Sequence, residues 1–189
     1  MKPPCQSLSV ERCVGETNMK LLEDVVITDS VEVGVPPEKV FDFFLQIVDD
    51  ASYRAWHPID HVTFRWIRGN PYEEGSVAYA EEYLHGKLHK LKFRISKIVP
   101  NREIEYVPLS RLVRFFFPKN RFEIKPSRDG CVFTAEVYLR IGRIARALAK
   151  RKLEMGLSSI RKHMKEEGEN LKRILEERNS HVTNGSRQA

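Results

Sequence analysis

Residues 35–50 read VPPEKVFDFFLQIVDD, and this stretch sets the frame for the rest of the chain. Pro36 and Pro37 stand where a helix begins, because the N–H that proline lacks has no intrahelical partner in the first turn. Val40, Phe41, Phe43, Phe44 and Ile47 then supply an apolar stripe at helical spacing, so the segment predicts a short amphipathic helix. Before it, Leu22 to Val35 mixes an apolar run with alternation and reads as a first strand. After it, ASYRAWHPIDH (51–61) reads as a loop or a broken helical turn.

Strand-like segments follow in close succession: HVTFRWIRG (61–69), GSVAYAEEYLHG (75–86), KLHKLKFRISKIV (87–99), REIEYVPL (102–109), RLVRFFF (111–117), NRFEIKPS (120–127) and CVFTAEVYLRIG (131–142). RGNPYEEG (68–75), VPNRE (99–103) and SRDG (127–130) place Asn, Pro, Asp and Gly where turns need them. Strands so close together, without intervening helices, predict an antiparallel meander. From about Arg143 to Glu177 the period changes to helical, with an apolar stripe through Leu153, Leu157, Ile160, Met164, Leu171 and Leu175. Gly156 and Gly168 allow close approach along it. The expected organisation is a poorly ordered extension (1–21), one folded domain (22–177) and a disordered polar tail (178–189).

At 189 residues, 41% hydrophobic and 31% charged, the composition is that of a soluble globular protein able to bury a core. No apolar run is long enough to span a membrane. The N-terminal segment lacks the apolar core of a signal peptide, so a cytoplasmic location is expected, and Met19 is an alternative start. Cys5, Cys13 and Cys131 are too scattered for a disulfide framework or a paired-cysteine metal site. The net charge of +6 permits an acidic partner, but the basic residues form no tract interleaved with aromatics, and no nucleic acid is expected as a partner.

The order of strand, short helix, curled antiparallel sheet and long terminal helix resembles the helix-grip fold of START-like and polyketide-cyclase-like proteins. VPPEKVFDFF is similar to the opening segment usual in that superfamily. The resemblance, over residues 22–177, implies an α+β fold whose sheet wraps the last helix around an internal cavity. It implies a hydrophobic small molecule as partner rather than any one reaction.

Within IRKHMKEEGENL (160–171), His163 and Glu167 are four apart and share a helix face with Ile160, Met164 and Leu171. An imidazole and a carboxylate placed there need a partner or a metal ion, because an unpaired buried charge is expensive. A wet His–Glu pair at the edge of the stripe is the plainer alternative. RAWHPIDH (54–61) puts His57 and His61 on a loop opening into the sheet, and Pro58 restricts His57 to extended backbone. Glu81 and Glu82 are adjacent in an otherwise apolar and aromatic strand, so one of the two faces the cavity. Two histidines and two carboxylates converging there would form a site for Zn2+ or another divalent first-row metal.

A loop histidine in a WHP context, a strand glutamate in EEYLHG and the helical HxxxE together resemble the metal-binding set of the 2,4-diacetylphloroglucinol hydrolase and phloretin hydrolase family. That resemblance implies zinc ligands His57, Glu82, His163 and Glu167, a phenolic substrate, and hydrolysis of a carbon–carbon bond between a phenolic ring and an acyl group. Glu82 is preferred over Glu81 because it stands four residues before Gly86. Asp60 occupies a position where the family has an amide, a departure that separates substrate identity from fold. A metal ion in such a site activates water and polarises a carbonyl. Asp60 and His61 are the candidates for proton transfer, and Tyr53, Tyr79, Tyr83 and Tyr138 for orienting substrate hydroxyls. The alternatives are a non-catalytic binder of a lipid, polyketide or other apolar molecule, and a metal-free cyclase or dehydratase. Phe115 to Phe117 have core packing as the default, with the cavity mouth and a homodimer contact as other uses.

Overall fold

The computed structural model describes residues 21–185, with the side chains of residues 144, 145 and 181–185 not described. The N-terminal extension, Met19, Cys5 and Cys13 therefore lie outside the described residues, Leu21 apart, as does the end of the tail. The chain runs β1 (Leu22–Val33), α1 (Pro37–Leu45), α2 (Asp50–Trp56), β2 (His61–Arg68), β3 (Val77–Leu84), β4 (Lys87–Val99) and β5 (Glu103–Pro108). It continues through α3 (Arg111–Phe116), β6 (Asn120–Ser127), β7 (Gly130–Gly142), α4 (Arg143–Leu148) and α5 (Lys150–Gly185). The seven strands form one antiparallel sheet in the order β1-β7-β6-β5-β4-β3-β2, a meander whose last strand closes against the first.

Helix α1 begins as its prolines require, with Pro36 at the N-cap and Pro37 in the first turn, and buries Val40, Phe41, Phe43 and Phe44. Phe44 is the centre of the core, with its ring 4.9 Å from Phe122, 5.3 Å from Phe133 and 5.4 Å from Trp56. The segment read as a loop or broken turn is the ordered helix α2, because Asp49 and Ser52 form a reciprocal capping box. Asp50 fastens it to the sheet by accepting a hydrogen bond from the Phe64 N–H at 2.7 Å. The helix stops at Trp56 because Pro58 disfavours helical backbone at His57, whose φ and ψ are −137° and 87°.

Two further expectations are corrected. RLVRFFF is helix α3, since the Ser110 hydroxyl caps it by accepting from the Val113 N–H and Pro118 follows its end. The terminal helix is divided into α4 and α5 and runs to Gly185, beyond Glu177. Its stripe is buried as expected, with Met164, Leu171 and Leu175 in the core and Gly168 against Val31 of β1. The β3–β4 hairpin turns on His85 and Gly86, both at positive φ, which suits a two-residue turn. No helix among the described residues is long and apolar enough to cross a membrane.

Candidate functional site

Between sheet and α5 lies a cavity of about 1060 Å³, walled by Phe44, Tyr53, Trp66, Tyr72, Ala80, Ile95, Tyr106 and Phe122. One part of its wall is polar. Glu82 of strand β3 and His163 and Glu167 of helix α5 line it, and the α2–β2 loop with the start of β2 packs His57, Asp60 and His61 against them. Antiparallel register sets His61 directly opposite Glu82. Trp56 ties the loop to the helix, its indole N–H donating to the Glu167 carbonyl at 3.1 Å.

His61, rather than His57, meets the helical pair. Its Nε2 is 3.1 Å from Glu167 Oε1, and Glu167 Oε1 is 3.6 Å from His163 Nε2. The other nitrogen of His61 lies 3.0 Å from the Tyr53 carbonyl, which can only accept, so Nδ1 carries the proton. A neutral His61 would therefore aim a lone pair at a carboxylate oxygen, and a proton or a cation must lie between them. His57 has the opposite tautomer, because its Nδ1 accepts from the Asp60 N–H at 3.1 Å. Its buried Nε2 has no hydrogen-bond partner among the described residues, being 3.6 Å from Glu166 Oε2 and 3.9 Å from Asp60 Oδ2. Asp60 turns to His163, accepting from Nδ1 at 3.0 Å. Candidate ligand atoms thus gather in two overlapping sets within 4.8 Å, His61–His163–Glu167 and His57–Asp60–His163.

The electrostatics follow from burial and proximity. Burial pushes the Glu167 carboxyl up, but the hydrogen bonds and charges of His163 and His61 outweigh it and hold it at about 2. Burial likewise pulls His163 down, and the Glu167, Glu82 and Asp60 carboxylates outweigh it and raise it to about 10. His57 is lowered, first by burial and then by the positive charge of its two histidine neighbours. Tyr53 stacks on His61 with ring centroids 3.7 Å apart and donates to Glu82 Oε2 at 2.7 Å. Burial and then the Glu82 charge hold its hydroxyl well above its usual range, so it remains a donor.

Of the other expected residues, Glu82 faces the cavity while Glu81 accepts from the Tyr79 hydroxyl and pairs with Lys90. Tyr79 borders the cavity, whereas Tyr83 and Tyr138 do not and are corrected. Strand alternation turns the Tyr79 hydroxyl to Glu81, with Arg65 over the ring, and leaves Tyr83 exposed on the side opposite Ala80 and Glu82. Tyr138 likewise alternates with the partly buried Val137 and the buried Leu139, donating to Glu136 under Lys119. The aromatic hydroxyls that do wall the cavity beside Tyr53 are Tyr72 and Tyr106, both raised by burial. The alternation Ile104, Tyr106, Pro108 was the available signal for Tyr106, since Ile104 marks the inner face.

The fold and cavity are those of a helix-grip protein, and residues 24–176 match the family described as polyketide cyclase / dehydrase and lipid transport. The chain belongs to that family. No curated protein matches it. Among solved structures, a Staphylococcus aureus protein of unknown function superposes with a TM-score of 0.62 at 10% identity, covering 84% of this chain and 98% of the other. A polyketide-cyclase-like protein from Corynebacterium glutamicum gives 0.53 at 15% identity, covering 84% and 96%. The di-domain ARO/CYC protein BexL of the BE-7585A biosynthetic pathway gives 0.56 at 16% identity, covering 78% of this chain and 50% of its own. At these identities the likeness is one of fold.

Proposed function

We propose that the protein binds a hydrophobic, ring-bearing small molecule in the cavity, with the polar end of the ligand against Tyr53, Glu82, His163 and Glu167. The observation that supports this most is the composition of the wall: a broad aromatic and aliphatic surface with a few convergent polar groups on one side. Trp66 and His89 also line it, and their Nε1 and Nε2 are buried without hydrogen-bond partners among the described residues, which leaves both for a ligand. The name of the family and that of the ARO/CYC relative agree with a polyketide-like or lipid-like ligand. The test is mass spectrometry of organic extracts of the purified protein, with binding of an anilinonaphthalene sulfonate probe to wild type and to Ala80→Phe. Ala80 is buried on the cavity wall, so the larger ring should abolish probe binding while the fold persists. Equal binding by both proteins would refute the cavity as the site.

One observation favours a second, catalytic reading on the same cavity: the His61 lone pair aimed at Glu167 at 3.1 Å. A divalent cation fits between such groups: His61, His163 and Glu167 bring two nitrogens and a carboxylate oxygen within 4.8 Å of one another, and Glu82, opposite His61, would be the fourth ligand zinc accepts. This replaces His57 by His61 in the set that resemblance to the diacetylphloroglucinol and phloretin hydrolases implied. Bound there, the ion would supply Lewis acidity toward a ketone and a more acidic water. The residues of the chain would do the rest. Tyr53 holds Glu82 by donating its one hydroxyl proton to it, Asp60 fixes the His163 ring through Nδ1, and the neutral His57 Nε2–H stands beside Asp60 as a proton relay. Plasma mass spectrometry after incubation with zinc tests this reading. Near-stoichiometric metal lost in His61→Ala and retained in His57→Ala supports it, and no metal in wild type removes the hydrolase reading while leaving the binder.

A further inference from the structure

Helix α3 has two faces. Val113 and Phe117, four apart, line the cavity, and Val113, 43% exposed like its lining neighbour Leu109 at 41%, marks the mouth where the wall meets solvent. Leu112, Phe115 and Phe116 project from the other side and are 72%, 47% and 42% exposed. Leu109 and Val113 extend the apolar surface along the lip, and the Phe115 and Phe116 rings meet edge to face. Single exposed apolar residues are ordinary, but a contiguous set beside a cavity mouth is not.

The charge around this lip is of one sign. From Tyr106 to Phe122 the chain carries Arg111, Arg114, Lys119 and Arg121 and no acid, and from Val137 to Leu153 it carries Arg140, Arg143, Arg146, Lys150, Arg151 and Lys152 and no acid. Glu105, Glu136, Asp24, Glu23 and Glu154 neutralise Lys119, Arg121, Arg140, Arg146 and Lys150. Arg111, Arg114, Arg143, Arg151 and Lys152 have no ion-pair partner among the described residues. Both stretches lie at one end of the sheet. The Tyr138 N–H of β7 donates to the Lys119 carbonyl just beyond α3, and α4 starts where β7 ends, the Arg143 N–H donating to the Leu21 carbonyl. Helix α4 adds Leu148, 84% exposed.

We infer that this rim docks on an anionic lipid bilayer, with Leu112, Phe115 and Phe116 entering the headgroup boundary and the unpaired arginines and lysine meeting lipid phosphates. The docked orientation sets the cavity mouth against the membrane, so an apolar ligand passes between lipid and cavity without crossing water. A bilayer is the occupant that satisfies both parts of the rim at once, since it offers hydrocarbon and distributed negative charge at neighbouring depths. A second copy does not: a two-fold contact through this face would set Arg111 and Arg114 of one chain against the same cations of the other. The inference stands on the rim and needs neither a metal nor a bound ligand, so its failure leaves the cavity reading intact.

The test is co-sedimentation with phosphatidylcholine vesicles, with and without phosphatidylserine. Wild type should sediment only with the phosphatidylserine vesicles and be released by high salt, because screening shortens the reach of the cations. Binding should fall by roughly tenfold or more in Leu112→Ser/Phe115→Ser/Phe116→Ser and in Arg111→Glu/Arg114→Glu. Ile67→Ser, an exposed residue at the other end of β2, should bind as wild type does. The rim variants should keep the wild-type thermal melt and probe binding, which separates lost docking from lost folding. Wild type that ignores phosphatidylserine vesicles would overturn the inference. So would rim variants that sediment like wild type, or light scattering showing that they break a dimer while lipid binding is absent.

Discussion

Glu167→Gln, made in metal-stripped protein, isolates the electrostatics of the site. Glutamine keeps the shape and an acceptor oxygen but removes the charge that His61 and His163 face at 3.1 and 3.6 Å. The Glu167 carboxyl is held at about 2 against an ordinary 4.5, which at about 1.4 kcal/mol per tenfold change in proton affinity corresponds to about 3 kcal/mol of folding stability. The larger displacement of His163 also contains the Asp60 and Glu82 carboxylates, so the Glu167 value is the better measure of what this substitution removes. The sign differs on the two sides. A depressed carboxyl contributes fully above 4.5 and loses its contribution as pH falls toward 2. A raised histidine contributes fully below 6.5 and loses its contribution as pH rises toward 10. Urea denaturation of both proteins should therefore give the largest difference, about 3 kcal/mol, between these limits near pH 5 to 6. The difference should shrink toward zero in acid and decline through the alkaline range. A pH-independent difference, or one that grows from about pH 6 to 9, would refute the assignment of a charged His163–Glu167 pair.

Other outcomes follow from single contacts. A Cβ on Gly130 would stand 2.1 Å from the Val33 carbonyl oxygen at a φ of +152°, whereas one on Gly75, at +90°, meets nothing within 4 Å; Gly130→Ala should lose roughly 3 kcal/mol or more and Gly75→Ala only about 1 kcal/mol in the same urea assay, and equal losses would contradict the packing of the 127–130 turn on β1. Burial raises the Cys131 thiol to about 11, so mass spectrometry should find its peptide unmodified by iodoacetamide at about pH 8 in the native protein and alkylated in denaturant. Tyr53→Phe removes the donor to Glu82 and should weaken probe or metal binding, whereas Tyr79→Phe, whose hydroxyl serves Glu81, should leave both unchanged in titrations.

The parts of the fold that were readable in the sequence are those specified locally. Turn residues and alternation delimit β2 to β7, and the prolines of 35–50 place α1 within a residue. RLVRFFF misleads because bulky, β-prone residues dominate it, and the deciding signals are the single polar cap Ser110 and the stop at Pro118. The site divides in the same way. His163 and Glu167 are legible because four residues on a helix fix their common face without reference to the rest of the chain. Whether His57 or His61 reaches them depends on the Tyr53 carbonyl, the Asp60 N–H and the β2–β3 register, all of which are tertiary. The outward tyrosines could have been recognised by parity, since the small residues Ala78 and Ala80 mark the face on which the sheet is closely covered. Aromatic character alone does not report which side of a strand a residue takes.

Helix α5 also measures the site. Gly156 packs beside His85, at the hairpin next to the mouth, and His163 follows seven residues later with Glu167 at eleven. At about 1.5 Å per residue the cluster therefore lies roughly 10 to 16 Å along the helix from the rim. A ligand that reaches the histidines while still touching the lip must be about that long, which fits several rings or a ring with a chain and excludes a single small ring from doing both. The same spacing explains why polar groups can be placed in this wall. They meet only the end of a ligand, while the aromatic surface between rim and cluster excludes water from the rest, so that orientation is fixed by chemistry at one end and affinity by area along the other.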